Sequence, residues 1–256
     1  MVMVANHAEN VWIHRYHPTA EANTQLVCFP HAGGSASYYF ALSRSLAPGI
    51  ETLAVQYPGR QDRYREKCIE NISELADQVF AALSGWIDRP VAFFGHSMGA
   101  TLAFEVGRRL QRHDDQALVH LFASGRQAPS RHRHEDIHLR DDAGLVAELR
   151  RIGGTDQRFL DDGELRDFAL PMIRSDYKAI ETYHYASGPS LDCPITALLG
   201  DSDPTVTIDE VAAWAEHCTG PFYLRIFPGG HFYLAENHAD VIRTISGSLP
   251  DQPSLG

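Results

Sequence analysis

Three residue types that can together activate a hydroxyl occur in this sequence in a fixed order, each just after an apolar run. Ser97 stands in Gly95-His96-Ser97-Met98-Gly99, which fits the pattern G-x-S-x-G. A serine hydroxyl is too weak an acid to attack a carbonyl unaided near neutral pH. It needs a base, and the base needs an acid to orient it. His231, in Pro228-Gly229-Gly230-His231-Phe232, is the candidate base. Gly200-Asp201-Ser202-Asp203-Pro204 offers two candidate acids, and spacing alone does not separate Asp201 from Asp203. The expected chemistry is nucleophilic attack on an acyl carbon. The developing oxyanion then needs two backbone N–H groups aimed at one point. One is the amide after the nucleophile, Met98. The other comes from the loop Phe29-Pro30-His31-Ala32-Gly33-Gly34-Ser35, where Ala32 is the preferred donor. That loop lacks the Gly-Lys-Ser/Thr ending of a phosphate-binding loop.

The serine pattern is weak alone, so the flanking elements must carry it. Residues 91–94 read as a buried strand ending at Gly95, and residues 98–111 as a helix starting directly after Ser97. Strand, tight turn and helix around a serine form a nucleophile elbow. Small residues at Gly95 and Gly99 let the neighbouring backbone pass close by. Further strands are predicted over 25–29, 51–56, 118–123, 195–199 and 223–227, with an earlier one within 11–16. Helices are predicted over 37–46, 72–86, 208–217 and 235–249. Strands alternating with helices imply βαβ units and a mostly parallel sheet covered on both faces. The fold expected is of the α/β-hydrolase type, one domain spanning residues 1–256.

One stretch breaks the alternation. Residues 129–187 contain no convincing strand, and helices are expected near 143–152 and 162–183. Asp161 and Glu164 suggest a capping box, and Pro171 should bend or split the second helix. Ile173, Tyr177, Ile180 and His184 fall at helical spacing on one face. The segment is read as a helical lid inserted between core strands, mobile over the cleft.

Bulk composition narrows the rest. The chain has 256 residues, with 22 Lys+Arg against 33 Asp+Glu and a formal net charge of −11. Such a field repels phosphate, which argues against nucleic acid or an anionic membrane as a general partner. Cys28, Cys68, Cys193 and Cys218 form no C-x-x-C pair and are read as reduced residues. No signal peptide and no membrane-spanning apolar run is visible, so a cytoplasmic location is expected. His132, His134, Glu135 and His138 are read as a solvated loop rather than a metal site, and no metal is expected. His96 is read as structural, and Arg126, Arg131, Arg133, Arg150 and Arg151 as a solvated surface.

Taken together, five motifs resemble the type II thioesterases that accompany polyketide and nonribosomal peptide synthases. They are Phe29-Pro30-His31-Ala32-Gly33-Gly34, Tyr57-Pro58-Gly59-Arg60, Gly95-His96-Ser97-Met98-Gly99-Ala100, Gly200-x-x-Asp203-Pro204 and Gly229-Gly230-His231-Phe232. The resemblance covers nearly the whole chain, and its Gly-x-x-Asp-Pro match favours Asp203 as the acid. It implies a cofactor-free editing hydrolase, expected to be a monomer, that clears stalled or wrong acyl groups from the phosphopantetheine arm of an acyl or peptidyl carrier protein. A carboxylesterase or a medium-chain fatty acyl thioesterase would use the same triad. A non-catalytic protein on the same scaffold is the rival from another class.

Overall fold

The computed structural model describes residues 11–113, 118–154 and 157–249. Seven strands form one sheet: β1 (Ile13–His14), β2 (Thr24–Phe29), β3 (Ile50–Val55), β4 (Val91–His96), β5 (Leu118–Ser124), β6 (Ile195–Gly200) and β7 (Phe222–Phe227). The spatial order is β1-β3-β2-β4-β5-β6-β7. Every pair is parallel except β1 against β3. β2, β3, β4 and β6 are buried at every position, because helices cover both faces. That is why they read as mostly apolar runs rather than alternating ones. β7 lies at the sheet edge and is only partly covered.

The helices are α1 (Phe40–Leu46), α2 (Ile72–Leu83), α3 (Met98–His113), α4 (Asp142–Ile152), α5 (Gln157–Asp161), α6 (Gly163–Glu181), α7 (Ile208–Ala212) and α8 (His238–Ser248). α2 shows why such segments coil. Asn71 caps its start by accepting from the Glu74 amide, and Ile72, Leu75, Ala76, Val79 and Leu83 bury one stripe. Apolar side chains on the two sides of the sheet form two core clusters. Among the described residues, no helix is long and apolar enough to cross a membrane. The four cysteines are unpaired, with Cys28 and Cys193 buried.

Several boundaries differ from the sequence reading. The helices predicted over 37–46 and 208–217 are part 3₁₀, over Ala36–Tyr39 and Ala213–His217. α2 stops at Leu83, and α8 starts at His238 rather than 235 because residues 231–237 form turns that hold His231 at the sheet edge. In the 129–187 segment the described residues form no strand, as expected, but Asp161 does not cap. It ends α5, and Asp162 caps α6 by accepting from the Leu165 amide. α6 is not split at Pro171. Proline lies on its exposed side, where water can satisfy the freed carbonyl, and Ile173, Ala179 and Ile180 bury the turns that follow. His184 falls beyond the helix end and is exposed. α4, α5 and α6 share a small core of their own, which includes Leu145, Leu149, Leu160, Leu170 and Ile173.

Buried histidines make the fold acid-sensitive. Burial lowers His96 well below the ordinary range, and pulls His120 and His217 down to about 4. Unfolded histidine titrates near ~6.5. The folded chain therefore binds fewer protons between about 4 and 6.5, so the stability these residues contribute is complete above that window and is lost as pH falls through it. The expected result is a thermal midpoint that drops between pH 7 and pH 5, before most carboxylates titrate. His120→Gln, which keeps an acceptor for Thr196, should flatten the slope. A midpoint independent of pH over this range would contradict the account.

Candidate active site

The site is assembled at the carboxyl edge of the sheet, where β2, β4, β5, β6 and β7 end. Between β4 and α3, Ser97 holds φ at 55°. This left-handed backbone is costly for a non-glycine residue and turns its side chain out of the strand path. Its N–H donates to the Ser124 carbonyl at 2.8 Å, tying the elbow to the end of β5. The flanking glycines are required by space. A Cβ on Gly95 would lie 2.1 Å from the Gly99 carbonyl oxygen, and one on Gly99 would lie 2.0 Å from that of Phe29.

At the ends of β6 and β7 the geometry separates the two aspartates. His231 Nδ1 is 2.8 Å from Asp203 Oδ2, and both side chains are almost wholly buried. Asp201 is exposed and faces elsewhere. Its Oδ1 accepts from the Gly229 amide at 3.0 Å and from the Ser202 hydroxyl at 2.8 Å, which braces the β6 turn against the β7 turn. These two bonds hold the Asp201 carboxyl below its ordinary range. For Asp203, burial pushes the carboxyl up, but the His231 hydrogen bond and charge and two bonds from Thr205 outweigh it, so the net shift is downward.

Thr205 is the residue that the sequence reading missed. Its amide and hydroxyl both donate to Asp203 Oδ1, at 2.8 and 2.7 Å, and its hydroxyl lies 3.1 Å from His231 Nδ1. The Asp203-Pro204-Thr205 spacing carried the signal, because an aspartate often accepts from the amide two residues on.

His231 packs at this edge against His96, the residue before Ser97. The ring of His96 lies 4.9 Å from that of His231, and a Cβ on Gly125, which follows Ser124, would lie 3.3 Å from His231 Cε1. Among the described residues, the Ser97 hydroxyl makes no hydrogen bond to His231. Such bonds are often long in ligand-free sites and tighten with substrate. His96 is buried, accepts or donates through Nδ1 with Ser124 Oγ at 2.9 Å, and stays neutral. His31 is pulled down to about 3 by burial first, then by His231 and Arg60. Of the three clustered histidines His31, His96 and His231, only His231 has a carboxylate partner among the described residues.

The oxyanion candidates fit the same edge. Met98 opens α3, and N–H groups in a first helical turn have no intrahelical acceptor. In the loop after β2, the Gly34 amide donates to the His31 carbonyl and the Gly33 amide to Asp176 Oδ2. The Ala32 amide has no protein acceptor among the described residues. A cavity of about 660 Å³ opens beside these groups. His31, Ala32, Gly33, Ser35, Arg60, Gln61 and Phe232 line one side, and Leu149, Ile152, Phe168, Met172 and Ile173 from the inserted helices line the other.

The remaining sequence candidates lie elsewhere. His138 pairs with the buried Glu181. Arg131, Arg133, Arg150 and Arg151 are engaged by Glu216, Glu210, Asp161 and Glu148 respectively. Among the described residues, no group of His, Cys, Asp and Glu is arranged to hold a metal ion.

Comparison with known proteins gives a consistent picture. Residues 24–249 match the thioesterase domain family. Over 240 residues the chain is 49% identical to Thioesterase PikA5 of Streptomyces venezuelae, covering 93% of this chain and 85% of that protein. It is 35% identical to the gramicidin S biosynthesis protein GrsT of Aneurinibacillus migulanus, covering 94% of each. Among solved structures, the type II thioesterase BorB from the borrelidin biosynthetic cluster superposes with a TM-score of 0.87 at 52% identity, covering 93% of this chain and 97% of that one.

Proposed function

Because the chain belongs to the thioesterase domain family and is a thioester hydrolase of the α/β-hydrolase fold, we propose that it removes aberrant or stalled acyl groups from the phosphopantetheine thiol of carrier proteins in polyketide or nonribosomal peptide synthesis. The observation that supports this most is the pairing of His231 with Asp203 and the strained elbow at Ser97, with a cavity large enough for an acyl group lined by the neighbouring Ala32 and Phe232.

In the proposed reaction, Ser97 Oγ attacks the thioester carbonyl carbon while His231 Nε2 takes the hydroxyl proton. Asp203 accepts from Nδ1–H and stabilises the imidazolium. The amides of Met98 and Ala32 receive the oxyanion. Collapse expels the pantetheine sulfur, which takes the proton from His231. Water, activated by His231, then attacks the acyl-serine, and the free acid leaves. Every step uses groups of the protein itself. The substrate's thiol arm is proposed to enter past Ser35 and Gln61 at the polar side of the cavity.

Acyl groups loaded on carrier protein test this reading against the same groups on coenzyme A and against aryl esters. Preferred hydrolysis of carrier-bound thioesters is expected. Faster turnover of simple aryl esters would point to a carboxylesterase instead.

Residues 129–187 are proposed to act as a lid, supported by the six inserted-helix residues that line the cavity. Protease cleavage within this segment should slow when an acyl phosphonate occupies Ser97. Uniform resistance to cleavage would count against a moving lid.

A further inference from the structure

One buried ion pair is not used by the chemistry above. Asp176 lies on α6, in the inserted segment, and Arg60 ends the Tyr57-Pro58-Gly59-Arg60 motif after β3. Their side chains are 3% and 4% exposed and meet through two parallel bonds, Nη1 to Oδ2 at 2.7 Å and Nη2 to Oδ1 at 2.8 Å. Both partners also reach the turn His31–Gly34. The Gly33 N–H donates to Asp176 Oδ2 at 2.8 Å, and Arg60 Nη1 donates to the Gly34 carbonyl at 2.9 Å. The turn is closed by the Gly34 N–H on the His31 carbonyl at 2.9 Å, with Gly33 at φ 79°. One ion pair thus grips the turn from both sides and fixes the peptide plane that follows Ala32.

Buried ion pairs are poor sources of stability, because desolvation offsets their attraction. α6 does not need this one to stay seated. Ala179 and Ile180 enter the main core, Glu181 accepts from the amides of Ile137 and His138, and Tyr183 just beyond the helix donates to Glu105. The bonds that only Asp176 and Arg60 supply are those to the turn that presents the Ala32 amide.

We propose that Asp176, together with Arg60, is a positioning residue for catalysis: it holds the Ala32 N–H on the oxyanion and makes transition-state stabilisation depend on the seating of α6. This rests on the reading of Ser97 as nucleophile. The ion pair touches no reacting atom, so its effect should fall on kcat and leave KM nearly unchanged. Misplacing an oriented group by about 1 Å costs on the order of 10²-fold in rate.

The test is the double variant D176L/R60M, which removes the turn's anchors without orphaning a charge, together with D176N. Rates are measured per Ser97 titrated to completion with a fluorophosphonate. For D176L/R60M, a thermal midpoint near that of the wild type is expected, with kcat down about 10- to 100-fold, KM within about threefold, and affinity for an alkyl boronic acid falling in step with kcat. The boronate's oxygen occupies the oxyanion position, so a merely structural role would not move that affinity. D176N, whose amide oxygen can still accept from Gly33, should lose less. Recovery of wild-type kcat in the double variant, or a kcat loss with unchanged boronate affinity, overturns the inference while the nucleophile assignment stands. A wild type that neither takes the label at Ser97 nor releases acyl groups overturns that assignment, and this inference with it.

Discussion

Ser97→Ala should lower kcat on a carrier-bound acyl thioester by roughly 10³-fold or more, judged from nucleophile deletions in other triads. The residual rate would come from binding and the oxyanion donors, which the substitution leaves in place. The same position carries backbone strain, with φ at 55°. Ser97→Gly should therefore be as inactive as Ser97→Ala yet more stable than the wild type, by about 1 kcal/mol, because glycine adopts that backbone freely. Single-turnover kinetics and thermal melts read the two effects separately. Near-full activity in either variant would remove Ser97 from the mechanism.

Asp203→Asn should also be severe, at about 10⁴-fold in kcat, because an amide in place of the carboxylate favours the wrong imidazole tautomer and no longer stabilises the cation. The fold should tolerate the change, since the Asn oxygen can still accept from Thr205, as Asp203 does now. Asp201→Asn should leave kcat close to that of the wild type. Its carboxylate braces the Gly229 amide and the Ser202 hydroxyl, and an amide oxygen can accept one of those bonds. Steady-state rates of the two variants, side by side, check the assignment. The reverse order of effects would move the orienting acid to Asp201.

Much of this protein was legible before any coordinates. Five of the six firmly predicted strands match the observed ones to within a residue at each end, and the sixth, β4, runs two residues further, to His96. Parallel strands covered on both faces are mostly apolar, and among the exceptions Gln25 donates to Glu51 at 3.0 Å. The elbow was legible for a similar reason. Gly95 stands where a Cβ would strike the Gly99 carbonyl oxygen four residues on, so that part of the pattern is dictated locally, whereas Gly99 answers to the distant Phe29 carbonyl. Less legible were features that depend on what covers a helix. Pro171 suggested a break, and only the packing of Ile173, Ala179 and Ile180 keeps α6 whole. His184 continued a stripe by spacing but lies beyond the helix end.

By itself the sequence determined which residue types are present in which order, and hence the strand–helix alternation and the positions of Ser97, His231 and two possible aspartates. The tertiary structure decided which aspartate meets the histidine, that Thr205 clamps it, and that Arg60 and Asp176, 116 positions apart, close on the turn at Ala32. Periodicity and turn chemistry act over a few residues, so they are written along the chain. A hydrogen bond between distant segments depends on the register and crossing of elements, which no local pattern specifies.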